Sequence, residues 1–278
     1  MAAIDVRVLG PLTVVVAGAP VDLSSRKQRA LLALLALRAG HVLSVDRLVD
    51  DLRGERPPAT ARHALQVHVS NLRKLLGPAT VVTERPGYVL RAPPEVCDAN
   101  RFASLAATGR RALQGGRVRE ASATLSEALR LWRGPALADV LSEPFAAQDA
   151  ARLEELRLAV TEDRLVADLQ LGRHAELVGE LESLVARHPL RERLWSLLML
   201  ASYRSGRQAE ALRAYAAVRD RLRDELGLDP GPSCSSSRRR SFARSRAWRR
   251  LPRRRSRVTR VGPPDQRRTE LRGDAGRW

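Results

Sequence analysis

Residues 64–76 read "ALQVHVSNLRKLL", and this stretch decides the fold because it puts two different faces on one helix. At about 100° per residue, Leu65, Val69, Leu72 and Leu76 line one stripe with Ala61 beside it, the pattern of a core-facing helix. Val67 falls on the opposite side among His63, Ser70 and Lys74, flanked by Gln66 and Arg73 on one edge and Asn71 on the other. An ordinary solvated face is mostly charged. This one is small, amide-bearing and partly basic, with a methyl surface at its centre, and that mixture suits the edges of base pairs.

Working outward, the residues before this helix predict a small antiparallel sheet. "IDVRVLG" (Ile4 to Gly10), "LTVVV" (Leu12 to Val16) and "PVDL" (Pro20 to Leu23) are short strands, with turns at Gly10-Pro11 and at Gly18-Ala19-Pro20. Ser24 or Ser25 is placed to cap a helix over "RKQRALLALLALRAG", and Ser44 to cap a second over "SVDRLVDDLRG". "HVLS" between them is a connecting strand. Pro57-Pro58 separates the second helix from the third, read from about Ala59 to Leu76. "TVVTERPGYVLRA" then forms a hairpin around Arg85-Pro86-Gly87. Strands, three helices and a closing hairpin make a winged helix-turn-helix over residues 1–93.

The next segment, 98–232, repeats itself. "GRVREASATLSEALRLWR", "GRHAELVGELESLVARHP" and "GRQAEALRAYAAVRDRLR" start at Gly116, Gly172 and Gly206 and align without gaps. The last two are 34 residues apart, the tetratricopeptide period, whereas the first two are 56 apart, which leaves room for about one inserted short helix. Ala121, Leu177 and Ala211 align, as do Leu125, Leu181 and Tyr215. The expectation is a stack of helical pairs, each unable to bury its apolar face alone, with Trp132 and Trp195 in the core rather than in contact with a ligand. The fold class is therefore mainly α with a small antiparallel β portion, a winged helix followed by an all-α, tetratricopeptide-like domain.

The overall charge of +18 is unevenly spread: about +6 over residues 1–93, −1 over 94–232 and +13 over 233–278. A basic front segment before a neutral middle points to nucleic-acid contact first and protein contact second. The last segment, beginning "SCSSSRRRSFARSRAWRR", loses helical periodicity. An out-of-frame reading of a GC-rich gene is favoured for it over a genuine disordered basic tail with sequence-independent phosphate affinity. Two distant cysteines, Cys97 and Cys234, match neither a disulfide framework nor a metal site. No secretory leader or membrane-length apolar run is visible, so a cytoplasmic location is expected. No GxxxxGK[ST], HExxH or GxSxG motif occurs, and the expectation is a non-enzyme without cofactor or metal.

"ALQVHVSNLRKLLG" and "ERPGYVLRA" resemble the recognition helix and wing of OmpR/PhoB-type domains. "LWRGPALADV", "RLEELRL", "HPLRERLW" and "YRSGRQAEALRAY" resemble the bacterial transcriptional activator domain. Together they resemble the antibiotic regulatory protein (SARP) family of activators over about residues 3–232. From the residues alone, Gln66, Val67, Ser70 and Asn71 are candidates for reading base edges. His63, His68, Arg73, Lys74 and Thr83 are candidates for phosphates, Arg85 for the neighbouring minor groove and Tyr88 for a phosphate through its hydroxyl. The resemblance implies the same base-reading role for Gln66, Val67 and Asn71, phosphate contacts for His68, Arg73, Thr83 and Tyr88, and a wing arginine at Arg85. It also brings departures: Ser70-Asn71 stand where the family often has two basic residues, and Arg53 where it commonly has Trp. Other readings stay open: a boundary histidine at His68, a core tyrosine at Tyr88, and a solvated helix end at Arg73 and Lys74. The function expected is a sequence-specific activator of secondary-metabolite genes that binds repeats in double-stranded promoter DNA as a homodimer and recruits RNA polymerase. The alternative is a repeat-based adaptor whose basic tail binds nucleic acid unspecifically.

Overall fold

The computed structural model describes residues 4–54, 58–231 and 234; the basic segment, with both readings of it, otherwise lies outside the described residues. Three strands, β1 (Ile4–Arg7), β2 (Thr13–Val16) and β3 (Ala19–Val21), form an antiparallel sheet in sequence order, with Val6 opposite Val14 and Val14 opposite Val21. The second turn sits one step earlier than expected: Ala17 and Gly18 take positive φ, and Ala19 and Pro20 belong to β3. Successive positive φ values give a two-residue turn the twist that flanking strands need.

Helix α1 (Arg26–Leu37) is buried at every position from Ala30 to Leu37, as an apolar circumference requires. Ser25 occupies its N-cap position without a side-chain hydrogen bond. Ser44, by contrast, accepts from the Arg47 N–H at the start of α2 (Val45–Arg53), at 3.2 Å. Helix α3 runs Ala61–Leu76, and a second sheet takes the order β4 (Leu43–Ser44), β6 (Gly87–Leu90), β5 (Val81–Glu84), antiparallel throughout.

Among the described residues the α-helices that follow are α4 (Asp98–Gln114), α5 (Val118–Arg130), α6 (Pro144–Gln170), α7 (His174–Arg187), α8 (Glu192–Arg204) and α9 (Gln208–Leu226). Gly116, Gly172 and Gly206 stand between the members of the three pairs, all at left-handed φ of 74°, 88° and 80°. At each, the following arginine N–H donates back to a carbonyl five residues earlier: Arg117 to Ala112, Arg173 to Asp168, Arg207 to Ser202. The glycine N–H donates three residues back. This is the Schellman arrangement, and it explains why the repeat is spelled with Gly-Arg. Ala121, Leu177, Ala211, Leu125 and Leu181 are buried, Tyr215 is half-buried, and both Trp132 and Trp195 are buried.

The 56-residue spacing is explained differently from the expected short inserted helix. A non-helical link spans residues 131–143, and α6 is 27 residues long against 13 for α8. The link is irregular because its backbone pairs elsewhere: Arg133 N–H donates to the Leu9 carbonyl and Leu137 N–H to that of Val8, both at 2.8 Å. Asp98 at the start of α4 accepts from the N–H groups of Val8 (2.7 Å) and Leu9 (3.2 Å). Asp139 of the link accepts from Leu12 N–H at 2.9 Å. Charges close the same seam. Lys27 reaches the buried Glu143 at 2.5 Å and Arg38 reaches Asp149 at 3.1 Å. One hydrophobic core consequently runs from Val6 through α1 and α3 to Val160, and a second occupies Leu165 to Leu222 with Cys234.

Cys97 and Cys234 are free and buried. Burial pushes their thiols up to about 12 and about 11, where neither is a useful nucleophile near neutrality. Among the described residues no helix is long and apolar enough to cross a membrane.

Candidate nucleic-acid interface

Ala61, Leu65, Val69, Leu72 and Leu76 of α3 are buried, so the core stripe is the one its periodicity predicts. The reverse face carries His63, Gln66, Val67, Ser70 and Lys74, all exposed, with Val67 at 44%. Asn71 is half-buried at the edge of that face. Apolar surface left in water on a helix whose other valine, Val69, is buried has no packing reason on its own helix. Arg62, one turn before Gln66, also faces outward and pairs with Asp46 of α2. Sequence reading passed it over, although its spacing of four from Gln66 was a usable signal.

The wing packs beside α3. Arg73 joins them: its Nε donates to the Val81 carbonyl and its Nη2 to Thr83 Oγ1, both at 2.7 Å, and its guanidinium lies 5.9 Å from the Tyr88 ring centroid. Three candidate phosphate-contacting residues, Arg73, Thr83 and Tyr88, thus meet at the helix–wing junction. Tyr88 is buried at 8% exposure, while Thr83 is exposed and lies opposite it across the β5–β6 ladder. A guanidinium has five N–H donors, so the wing contacts leave Arg73 with further capacity for an anion. Arg85 stands exposed at the wing tip. Glu84 beside it pairs with Arg91 at 3.4 Å, an acidic neighbour that limits how much positive charge the tip presents.

His68 is half-buried on the flank of α3, in a small recess with Lys27, Leu52 and Arg53, and its Nδ1 has no partner among the described residues. Burial, then the charges of Arg53 and Lys27, hold its pKa below the ordinary histidine value. At neutral pH it therefore meets a phosphate, if at all, as a neutral donor. A depressed folded-state pKa means that folding disfavours the proton. His68 thus costs nothing above the unfolded value near 6.5 and a growing amount as pH falls below it. The melting temperature should drop between pH 7.5 and pH 5.5, and by less in His68→Gln; equal drops would remove this assignment.

Two family models match the chain. The profile of the transcriptional regulatory protein C-terminal domain matches residues 18–90, and that of the bacterial transcriptional activator domain matches 97–240. Fold and profiles together define a bacterial transcriptional regulator. DnrI of Streptomyces peucetius, a regulatory protein, is 43% identical over 237 residues, covering 81% of this chain and 87% of its own. AfsR of Streptomyces coelicolor is 47% identical over 226 residues, which is 81% of this chain and only 23% of AfsR. A solved structure of Mycobacterium tuberculosis EmbR in complex with a low-affinity phosphopeptide superposes with a TM-score of 0.84 at 38% identity, covering 88% of this chain and 66% of that one. The chain belongs to the SARP family of regulators, and it spans about a quarter of the length of AfsR.

Proposed function

We propose that the chain is a sequence-specific transcriptional activator in which residues 1–93 bind promoter DNA. In this reading, residues 98–232 hold two protomers together on DNA repeats and contact RNA polymerase. The outward face of α3 carries the proposal: amides at Gln66 and Asn71, the exposed Val67 methyls and the small Ser70 form a surface that reads a major groove, while Arg85 enters the minor groove beside it. His63, His68, Arg73, Lys74, Thr83 and Tyr88 position that surface on the phosphates. Secondary-metabolite genes in the cytoplasm of a bacterium are the proposed target, as membership of the antibiotic regulatory protein family suggests.

The test is binding of the full chain to DNA upstream of its own and neighbouring genes against scrambled competitor at fixed salt. A preference of about a thousandfold or more is expected. Gln66→Ala and Asn71→Ala should each relax discrimination by about 1–3 kcal/mol with the salt dependence retained. Lys74→Ala should weaken all sequences alike and lower the salt slope by about one. Equal binding to both DNAs overturns the proposal and leaves the basic segment 233–278 as the source of affinity.

A further inference from the structure

A concavity of about 730 Å³ lies away from α3, lined by residues of α5, α6 and α7. Helix α6 forms its floor through Glu154, Leu158 and Thr161, with α5 and α7 as its walls. Its size falls in the range of ligand-holding clefts, and its charges do not balance locally. The carboxylates are all matched: Glu154 by Arg157 at 3.4 Å, Glu155 by Arg191 at 2.7 Å, and Glu180 by Arg164. Two exposed arginines, Arg130 on α5 and Arg187 on α7, have no carboxylate partner among the described residues. Arg187 spends only its Nε, on the Ser183 carbonyl at 3.4 Å. Between them lie Leu129, Leu158 and Leu184, an apolar strip with cations on opposite walls.

We infer that this groove docks an acidic peptide segment of a partner protein, its carboxylates on Arg130 and Arg187 and an apolar side chain on the leucine strip. Bidentate carboxylate capture by arginine matches the free groups. A nucleic-acid backbone fits less well. It would carry uninterrupted negative charge past Glu154 and Glu155 and has no side chain for the leucines. The chain's own last segment, at about +13, has the wrong sign.

Fluorescence anisotropy of the full chain with a labelled Asp-Leu-Glu-Asp-Leu-Glu peptide tests this. Saturable binding is expected, weakened by about tenfold or more in Arg130→Gln/Arg187→Gln and only partly restored in Arg130→Lys/Arg187→Lys, whose ammonium groups keep the charge but lose the bidentate pair. Both side chains are exposed, so the melting temperatures should match the parent. Promoter affinity should be unchanged, which separates this inference from the reading of α3. Absence of binding overturns it, and so does binding indifferent to the glutamine pair, because the peptide is then held by other basic residues. Tighter binding of an oligothymidine that depends on the same two arginines overturns it in favour of nucleic acid.

Discussion

Gly87→Ala is expected to abolish the wing. A Cβ built on Gly87 would lie 1.8 Å from the Leu43 carbonyl oxygen and 2.7 Å from Ser44 Cα, both backbone atoms of β4. Backbone cannot swing aside as a flexible side chain does, so β4 and β6 must separate and the Leu43–Tyr88 and Ser44–Gly87 pairs are lost. A cost of about 4 kcal/mol or more follows, at the upper end for one substitution. Specific DNA affinity should fall with it, since Tyr88 and Thr83 lose their place beside Arg73. Gly116→Ala is the control. Its φ of 74° strains any side chain, but nothing lies within 4 Å of the added atom. Only the left-handed penalty of about 1–2 kcal/mol applies. Urea unfolding midpoints distinguish the two, and a Gly87→Ala loss no larger than that of Gly116→Ala would show that β4 yields easily.

Asp98→Ala should destabilise the whole first core, by about 3–5 kcal/mol. The carboxylate is buried at the head of α4, where it takes the N–H groups of Val8 and Leu9, with Arg133 3.6 Å away. Burial pushes its pKa up, and the two N–H donors with Arg133 and Arg101 act to hold it down. Alanine leaves two buried donors unpaired and Arg133 without its partner. Asparagine keeps one acceptor oxygen, so Asp98→Asn should lose clearly less. A two-state melt in which the winged-helix and α4–α6 signals fall together is expected for both, because one core joins them. A loss below about 1 kcal/mol in Asp98→Ala would mean that these amides find water instead.

Much of the architecture was legible because its causes are local. The α3 stripe follows from helical periodicity, and Ser44 caps α2 through a neighbour three residues away. The Gly-Arg repeat encodes a helix terminus whose hydrogen bonds close within six residues. The outward Val67 was visible for the same reason. Ser25 shows the limit of local reasoning: a residue of the right type stands at the right place, yet makes no side-chain bond.

The sequence by itself determined that the chain pairs a winged helix with stacked helical pairs, and which face of α3 looks outward. Tertiary structure decided how these parts are joined and what several site residues do. Residues 131–143 carry a recognisable motif but no periodicity that gives their conformation, because their partners, Val8, Leu9 and Leu12, lie more than a hundred residues earlier. Asp98 and Glu143 look like surface charges in a list of letters. Their burial depends on donors 90 and 116 residues away in the chain. Arg73 reads as one basic residue near a helix end, and only the folded wing gives its guanidinium the Val81 carbonyl and the Thr83 hydroxyl. Periodicity and capping act over one or two turns of chain, whereas a buried charge or an irregular backbone is stable only where a distant partner satisfies it.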